Sequence, residues 1–169
     1  MRLFKNVPAD RQKLLNDQFE WVVPWLDSMS NATRQLGLQQ VSLSVFDHWL
    51  ERDEAEVLLV NVPRDEQAAR DEKFLRFAKS IASRYEMCGF ARRGRRWNQL
   101  RFRKFASADA FFGPTKRNRM RSVVLPAHDA LLMEGYDDTW HVVYRDRGQV
   151  DAVLQQATET GLHVLKSNE

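Results

Sequence analysis

Leu14, Leu15, Phe19, Val22, Val23 and Leu26 recur at three- and four-residue spacing within residues 9–36, the period of a helix with one buried face. Pro24 falls inside that pattern and predicts an end or kink near Val23. A second short helix is expected over 28–36, with Gly37 as its C-terminal cap. From Val41 the period drops to two: Val41, Leu43 and Val45 alternate with Ser42 and Ser44, a half-buried strand. Residues 51–56 read as a charged turn, and 57–62 is an apolar run interrupted only by Asn61, expected as the second strand of a hairpin that Pro63 ends. The most regular helical pattern covers 65–88. Phe74, Ala78, Ile81 and Tyr85 share one face, Phe77 and Ala82 lie beside it, and Gly89 is placed to cap it.

A strand follows over 96–105. Its two-residue period sends Leu100 and Phe102 one way and Trp97, Gln99, Arg101, Arg103 and Phe105 the other. Residues 106–119, with Gly113-Pro114, read as a loop. Short strands are expected at 123–125 and 130–133, a turn at 135–138, a strand at 139–144, a helix at 149–160 closed by Gly161, and a last strand at 162–165. These elements predict an α+β fold in one domain, 1–169. It has N-terminal helices and a mixed, largely antiparallel sheet, built from two strand-strand-helix-strand blocks at 41–105 and 130–165. The tail TWHVVYRDRGQVDAVLQQATETGLHVL has a strand-helix-strand cadence similar to that of many small α/β modules, ferredoxin-like plaits among them; the cadence carries no function.

Composition narrows the class. A chain of 169 residues, 43% apolar and 29% charged, is globular in character. The one cysteine, Cys88, rules out an intramolecular disulfide and any thiolate-rich zinc site. The N-terminus MRLFKNVPADRQ lacks a signal-peptide core, and no stretch approaches the ~18 apolar residues of a membrane span. A cytoplasmic protein, bacterial in style and without membrane contact, is expected.

Charge changes the picture most. Residues 91–122 hold eleven Arg and Lys and one acid, Asp109, a net +10 inside a chain of net +3; the remainder is therefore −7. Such asymmetry points to a polyanion or an acidic protein surface. The candidate binding residues are Arg92, Arg93, Arg95, Arg96, Trp97, Arg101, Arg103, Phe105, Lys116, Arg117, Arg119 and Arg121. Their cations suit phosphates, and their interleaved rings suit unpaired bases. The leading expectation is a non-enzymatic module binding DNA or RNA through residues 92–121. The alternative is a protein-binding inhibitor or immunity-type module, of a bacterial or mobile-element system, that uses the same basic surface on an acidic partner. The third hypothesis is an enzyme whose acids converge only in the fold, and against both binding readings stands internal pairing of the arginines with acids such as Glu51, Asp53, Glu54 and Glu56.

Catalytic chemistry finds less support. His48, His128, His141 and His163 show none of the short metal-chelating spacings, so no metal or other cofactor is expected. No nucleophile elbow, phosphate loop or dinucleotide glycine pattern occurs. Cys88, expected near a helix C-terminus, reads as structural. Asp137, Asp138 and Asp146 form no recognisable set for magnesium chemistry.

Overall fold

The computed structural model describes residues 4–92, 99–105 and 122–166, with residues 29–32 as backbone only. Eight strands form one sheet: β1 (Phe4–Asn6), β2 (Gln39–Ser44), β3 (Cys88–Arg92), β4 (Leu100–Phe105), β5 (Ser122–Leu125), β6 (Ala130–Glu134), β7 (Thr139–Tyr144) and β8 (His163–Lys166). Their order is β1-β4-β3-β5-β6-β7-β2-β8, and every neighbouring pair is antiparallel. The helices are α1 (Ala9–Gln18), α2 (Val22–Gln35), α3 (Arg52–Leu58), α4 (Arg64–Arg84) and α5 (Arg147–Glu159), with a short 3-10 turn at Pro126–His128. The fold is α+β. The sheet expected as mixed is wholly antiparallel: β7 and β8 run the same way, but β2 lies between them, so α5 crosses over β2 to join them.

Alternation along the strands divides the core in two. On one face Val41, Leu43, Val123, Leu125, Leu132, Trp140 and Val142 pack against Phe74, Phe77, Ala78 and Ile81 of α4 and Val150, Val153, Leu154 and Ala157 of α5. On the other face Cys88, Leu100, Phe102, Val124, Leu131 and Val143 meet Leu15, Phe19, Trp21, Val22 and Trp25. The two helical layers are offset. The α1–α2 layer reaches β4 and β3, whereas the α4–α5 core takes its strand residues from β2, β5, β6, β7 and β8, with Phe105 joining from β4 as a half-buried ring.

Several elements differ from expectation for identifiable reasons. The N-terminal helix breaks at residues 19–21, not at Pro24, because Pro24 is the third residue of α2, where a missing N–H costs no helical bond. The kink comes at Ser28 (φ −144°). Gly37 does cap α2: at φ +64° it lets its own N–H reach Arg34 O and that of Leu38 reach Thr33 O. The hairpin strand expected at 57–62 does not form, and with it falls the first strand-strand-helix-strand block; the second block, β6-β7-α5-β8, is present. A capping box decides the local structure. Glu51 and Glu54 satisfy each other's backbone N–H groups and start α3 with acids in its positive first turn. Val57 and Val60 consequently stand exposed. Helix α4 ends at Arg84, four residues early, and Gly89 lies within β3, not at a cap.

Arg70 fastens these pieces together. It is buried, donates to Leu58 O (2.8 Å), Asp138 Oδ2 (2.9 Å) and Glu66, and lies over the Phe46 ring. Asp138 belongs to the β6–β7 turn, whose central residues Asp137 and Asp138 both have positive φ, the twist that a two-residue hairpin needs.

Candidate nucleic-acid interface

Among the described residues no helix covers the β1–β4–β3 end of one sheet face, and the basic strand β4 crosses it. In β4 the buried Leu100 and Phe102 point to the α1–α2 layer, while Arg101 and Arg103 are exposed on the opposite face. Register fills in their surroundings. Arg103 lies between Asn6 of β1 and Gly89 of β3, Arg101 is opposite Ala91, and Phe105 is opposite Phe4. The exposed surface is therefore Phe4, Asn6, Ala91, Arg101, Arg103 and the half-buried Phe105, with Gly89 buried beneath the rings.

Its rings and glycine are linked sterically. Phe4 and Phe105 pack with centroids 5.0 Å apart at 44°, and the Arg103 guanidinium sits 6.0 Å from the Phe4 centroid. A Cβ on Gly89 would stand 3.1 Å from Phe105 Cζ and 3.6 Å from Phe4 Cε1. Gly89 thus lets the two rings lie close over β3, a close-approach role for a strand glycine.

Charge pairing separates the basic residues. Among the described residues neither Arg101 nor Arg103 forms a salt bridge. Arg92 sits in the register position opposite Leu100, on the other face, and pairs with Asp27 of α2. Lys104, also on that face, lies 3.4 Å from Glu86, which Arg11 holds at 3.0 Å. Three of the four acids offered as internal partners are engaged elsewhere: Glu51 and Glu54 in the α3 capping box, Glu54 also with His48, Glu56 with Arg52. Arg93, Arg95, Arg96 and Trp97, between β3 and β4, and Lys116, Arg117, Arg119 and Arg121, between β4 and β5, lie outside the described residues.

Other chemistry sits apart from this face. Cys88 is fully buried in β3, and burial pushes its thiol up to about 11, far from a reactive thiolate. Asp47 and His48 do touch (2.6 Å), because they occupy a bend and not a strand. Glu54 closes on the other ring nitrogen at 3.2 Å, and the two carboxylates hold the exposed imidazole above its ordinary pKa. His141 is 2.9 Å from Ser42 Oγ, and burial pushes its pKa down; His128 Nδ1 is 2.5 Å from Gln149 O. Among the described residues no three His, Cys, Asp or Glu side chains converge to hold a metal ion. A groove of about 470 Å³ between α4 and the β6–β7 hairpin is lined by Asp71, Glu72, Glu134 and Asp138 above Phe74 and Trp140. Its carboxylates oppose phosphate binding, and β3 and β5 lie between β4 and β6. No described helix is long and apolar enough to cross a membrane.

Phe4, Asn6, Gly89 and Ala91 were not legible as site residues. The pairing of β1 with β4 joins positions about a hundred residues apart, and no local pattern encodes it. The one available signal was a small-residue strand, Gly89 and Ala91, beside an arginine-rich one. No protein-family model matches the chain, and no curated protein sequence or solved structure is detectably similar to it.

Proposed function

We propose that the chain is a cytoplasmic, non-enzymatic module that binds nucleic acid through the open face of β1, β4 and β3, with Arg101 and Arg103 on the phosphates. One observation carries the reading: two exposed arginines without acid partners among the described residues lie on a sheet face that no described helix covers, in a chain whose charge outside residues 91–122 is −7. A guanidinium already neutralised by a carboxylate gains little from a phosphate. An unpaired one displaces condensed counterions when it binds. Arg93, Arg95, Arg96, Lys116, Arg117, Arg119 and Arg121 add to the positive field by sequence proximity alone.

The test is fluorescence anisotropy with labelled DNA and RNA over a range of salt. Affinity is expected to fall steeply as salt rises, and Arg101→Ala and Arg103→Ala each to weaken binding to every sequence. Absence of binding to either nucleic acid at low salt, with recovery of one acidic protein through the same arginines, would replace this reading with the inhibitor or immunity-type one.

A further inference from the structure

We infer that the open face takes single-stranded nucleic acid, with an unpaired base stacked on Phe4 and its flanking phosphates on Arg103 and Arg101; the inference rests on the nucleic-acid reading above. Duplex DNA is read by a helix or narrow ribbon that enters a groove. The candidate surface here is the face of a sheet, where Ala91 is exposed and Gly89 is buried under the Phe105 and Phe4 rings. A low face of that kind, edged by rings, accepts a planar base and gives a groove nothing to grip.

Ring placement is the second strand of the argument. Phe4 is 37% exposed although it is a large apolar residue on a strand, and its ring is backed by Phe105 and not sunk into either core. Phe105 is held down by the absence of a side chain at Gly89, so the pair forms a firm step at the β1–β4 boundary. Every base has a π-face, so such a step is sequence-tolerant. The third strand is the position of the cations. The Arg103 guanidinium lies over the Phe4 ring, 6.0 Å from its centroid, so a base stacking there meets that cation, and Arg101 follows two residues along the same strand face. Two residues of strand span roughly 7 Å, comparable with the phosphate spacing of an extended single strand. Asn6, exposed in the register position next to Arg103, supplies a donor and an acceptor to a base edge.

The experiment uses the full chain and four labelled probes of one sequence: single-stranded DNA, single-stranded RNA and the duplex of each. Both single strands are expected to bind at least about tenfold more tightly than their duplexes. The ratio between the two single strands tells which sugar the site prefers. Phe4→Ala is expected to weaken single-strand binding by roughly 5- to 150-fold with little change in salt dependence, because stacking releases no counterions. Phe4→Trp should retain affinity. It should also show fluorescence quenching on unlabelled oligonucleotide beyond that of the parent. Phe4 lies on an exposed three-residue edge strand, so a melting curve readily checks that the variants are folded. Equal binding of duplex and single strand, or a Phe4→Ala protein with parental affinity, overturns the stacking inference and leaves the nucleic-acid reading standing. Failure of all four probes to bind at low salt overturns both.

Discussion

Arg101, Arg103 and Arg92 are three neighbouring arginines whose loss changes net charge identically, yet they occupy different settings. Arg101 and Arg103 are exposed on the open face without an acid partner among the described residues, whereas Arg92 is on the opposite face and paired with Asp27. If binding followed total charge, each Arg→Ala variant would behave alike. If it follows the face, only Arg101→Ala and Arg103→Ala should act. For single strands the log–log salt slope is about 0.7 per neutralised phosphate. A fourfold rise in salt therefore changes the contribution of one contact by about 2.6-fold, and of two contacts by about sevenfold. Measured from about 50 to 200 mM salt, the affinity advantage of the parent over Arg103→Ala should shrink by that ~2.6-fold, and over the double variant by ~7-fold. Against Arg92→Ala it should stay nearly constant. The assay is anisotropy at four or more salt concentrations, with circular dichroism to confirm the fold. An Arg92→Ala slope as flat as that of Arg103→Ala would refute the face-specific argument, because delocalised charge would then explain binding.

Other consequences concern the scaffold. Arg70→Met should cost roughly 1–3 kcal/mol, because it strips the partly buried Asp138, the exposed Glu66 and Leu58 O of their partner; urea unfolding measures it, and a midpoint within error of the parent removes Arg70 as the fastening between α3, α4 and the β6–β7 turn. Cys88 gives a pH dependence of definite sign. Its folded thiol titrates at about 11 against an ordinary 9.0, so the neutral thiol stabilises the fold fully below pH 9, and that stability is lost as pH rises towards 11. Two units correspond to roughly 2–3 kcal/mol. The stability difference between parent and Cys88→Ala should therefore narrow over that interval, and parallel curves would show that the thiol is not held neutral.

How far the sequence disclosed this molecule depended on whether local pattern or long-range pairing decided each feature. The helical faces of α4 and α5, the β6–β7 hairpin and the inward Leu100 and Phe102 were legible, since each rests on a period of 3.6 or 2 within one element. The run at 57–62 reads as a strand by apolar content, but the Glu51–Glu54 capping box starts a helix that carries through Leu58, a stronger local signal than β propensity. Gly89 misled in another way. A glycine after a helix suggests a cap, but here it makes room for Phe105, a residue from a different strand. At the site, Arg101 and Arg103 followed from alternation, while Phe4 could not, because its neighbours are set by the β1–β4 register alone. The separation of Arg92 from its neighbours also needed the structure, which supplies Asp27 across 65 residues of chain.

A bare sheet beside an exposed edge would ordinarily invite another strand, and the way β4 avoids this bears on what the face is for. β1 pairs only with residues 103–105 of β4. Beyond it, Gln12 and Asn16 of α1, four residues apart and so on one helical face, supply what a strand would. Gln12 donates to Phe102 O (2.5 Å) and accepts from Phe102 N (3.0 Å). Asn16 donates to Leu100 O and accepts from Leu100 N, both at 2.9 Å. The edge is closed by side-chain amides while the face stays open, so a ligand of this surface meets side chains and not a row of backbone donors and acceptors. Asn16→Leu removes both partners of Leu100 and leaves two part-buried backbone groups unmet. That should cost about 1–3 kcal/mol, which for a chain of this size lowers the melting temperature by roughly 2–12 °C. The Gln12→Leu, Asn16→Leu double variant should go further and expose the β4 edge. It should then self-associate with rising concentration in light scattering, where the parent does not. If both variants melt with the parent and the double variant stays dispersed, the amides are incidental, the edge is closed by something else, and strand addition returns as a way for a partner to reach β4.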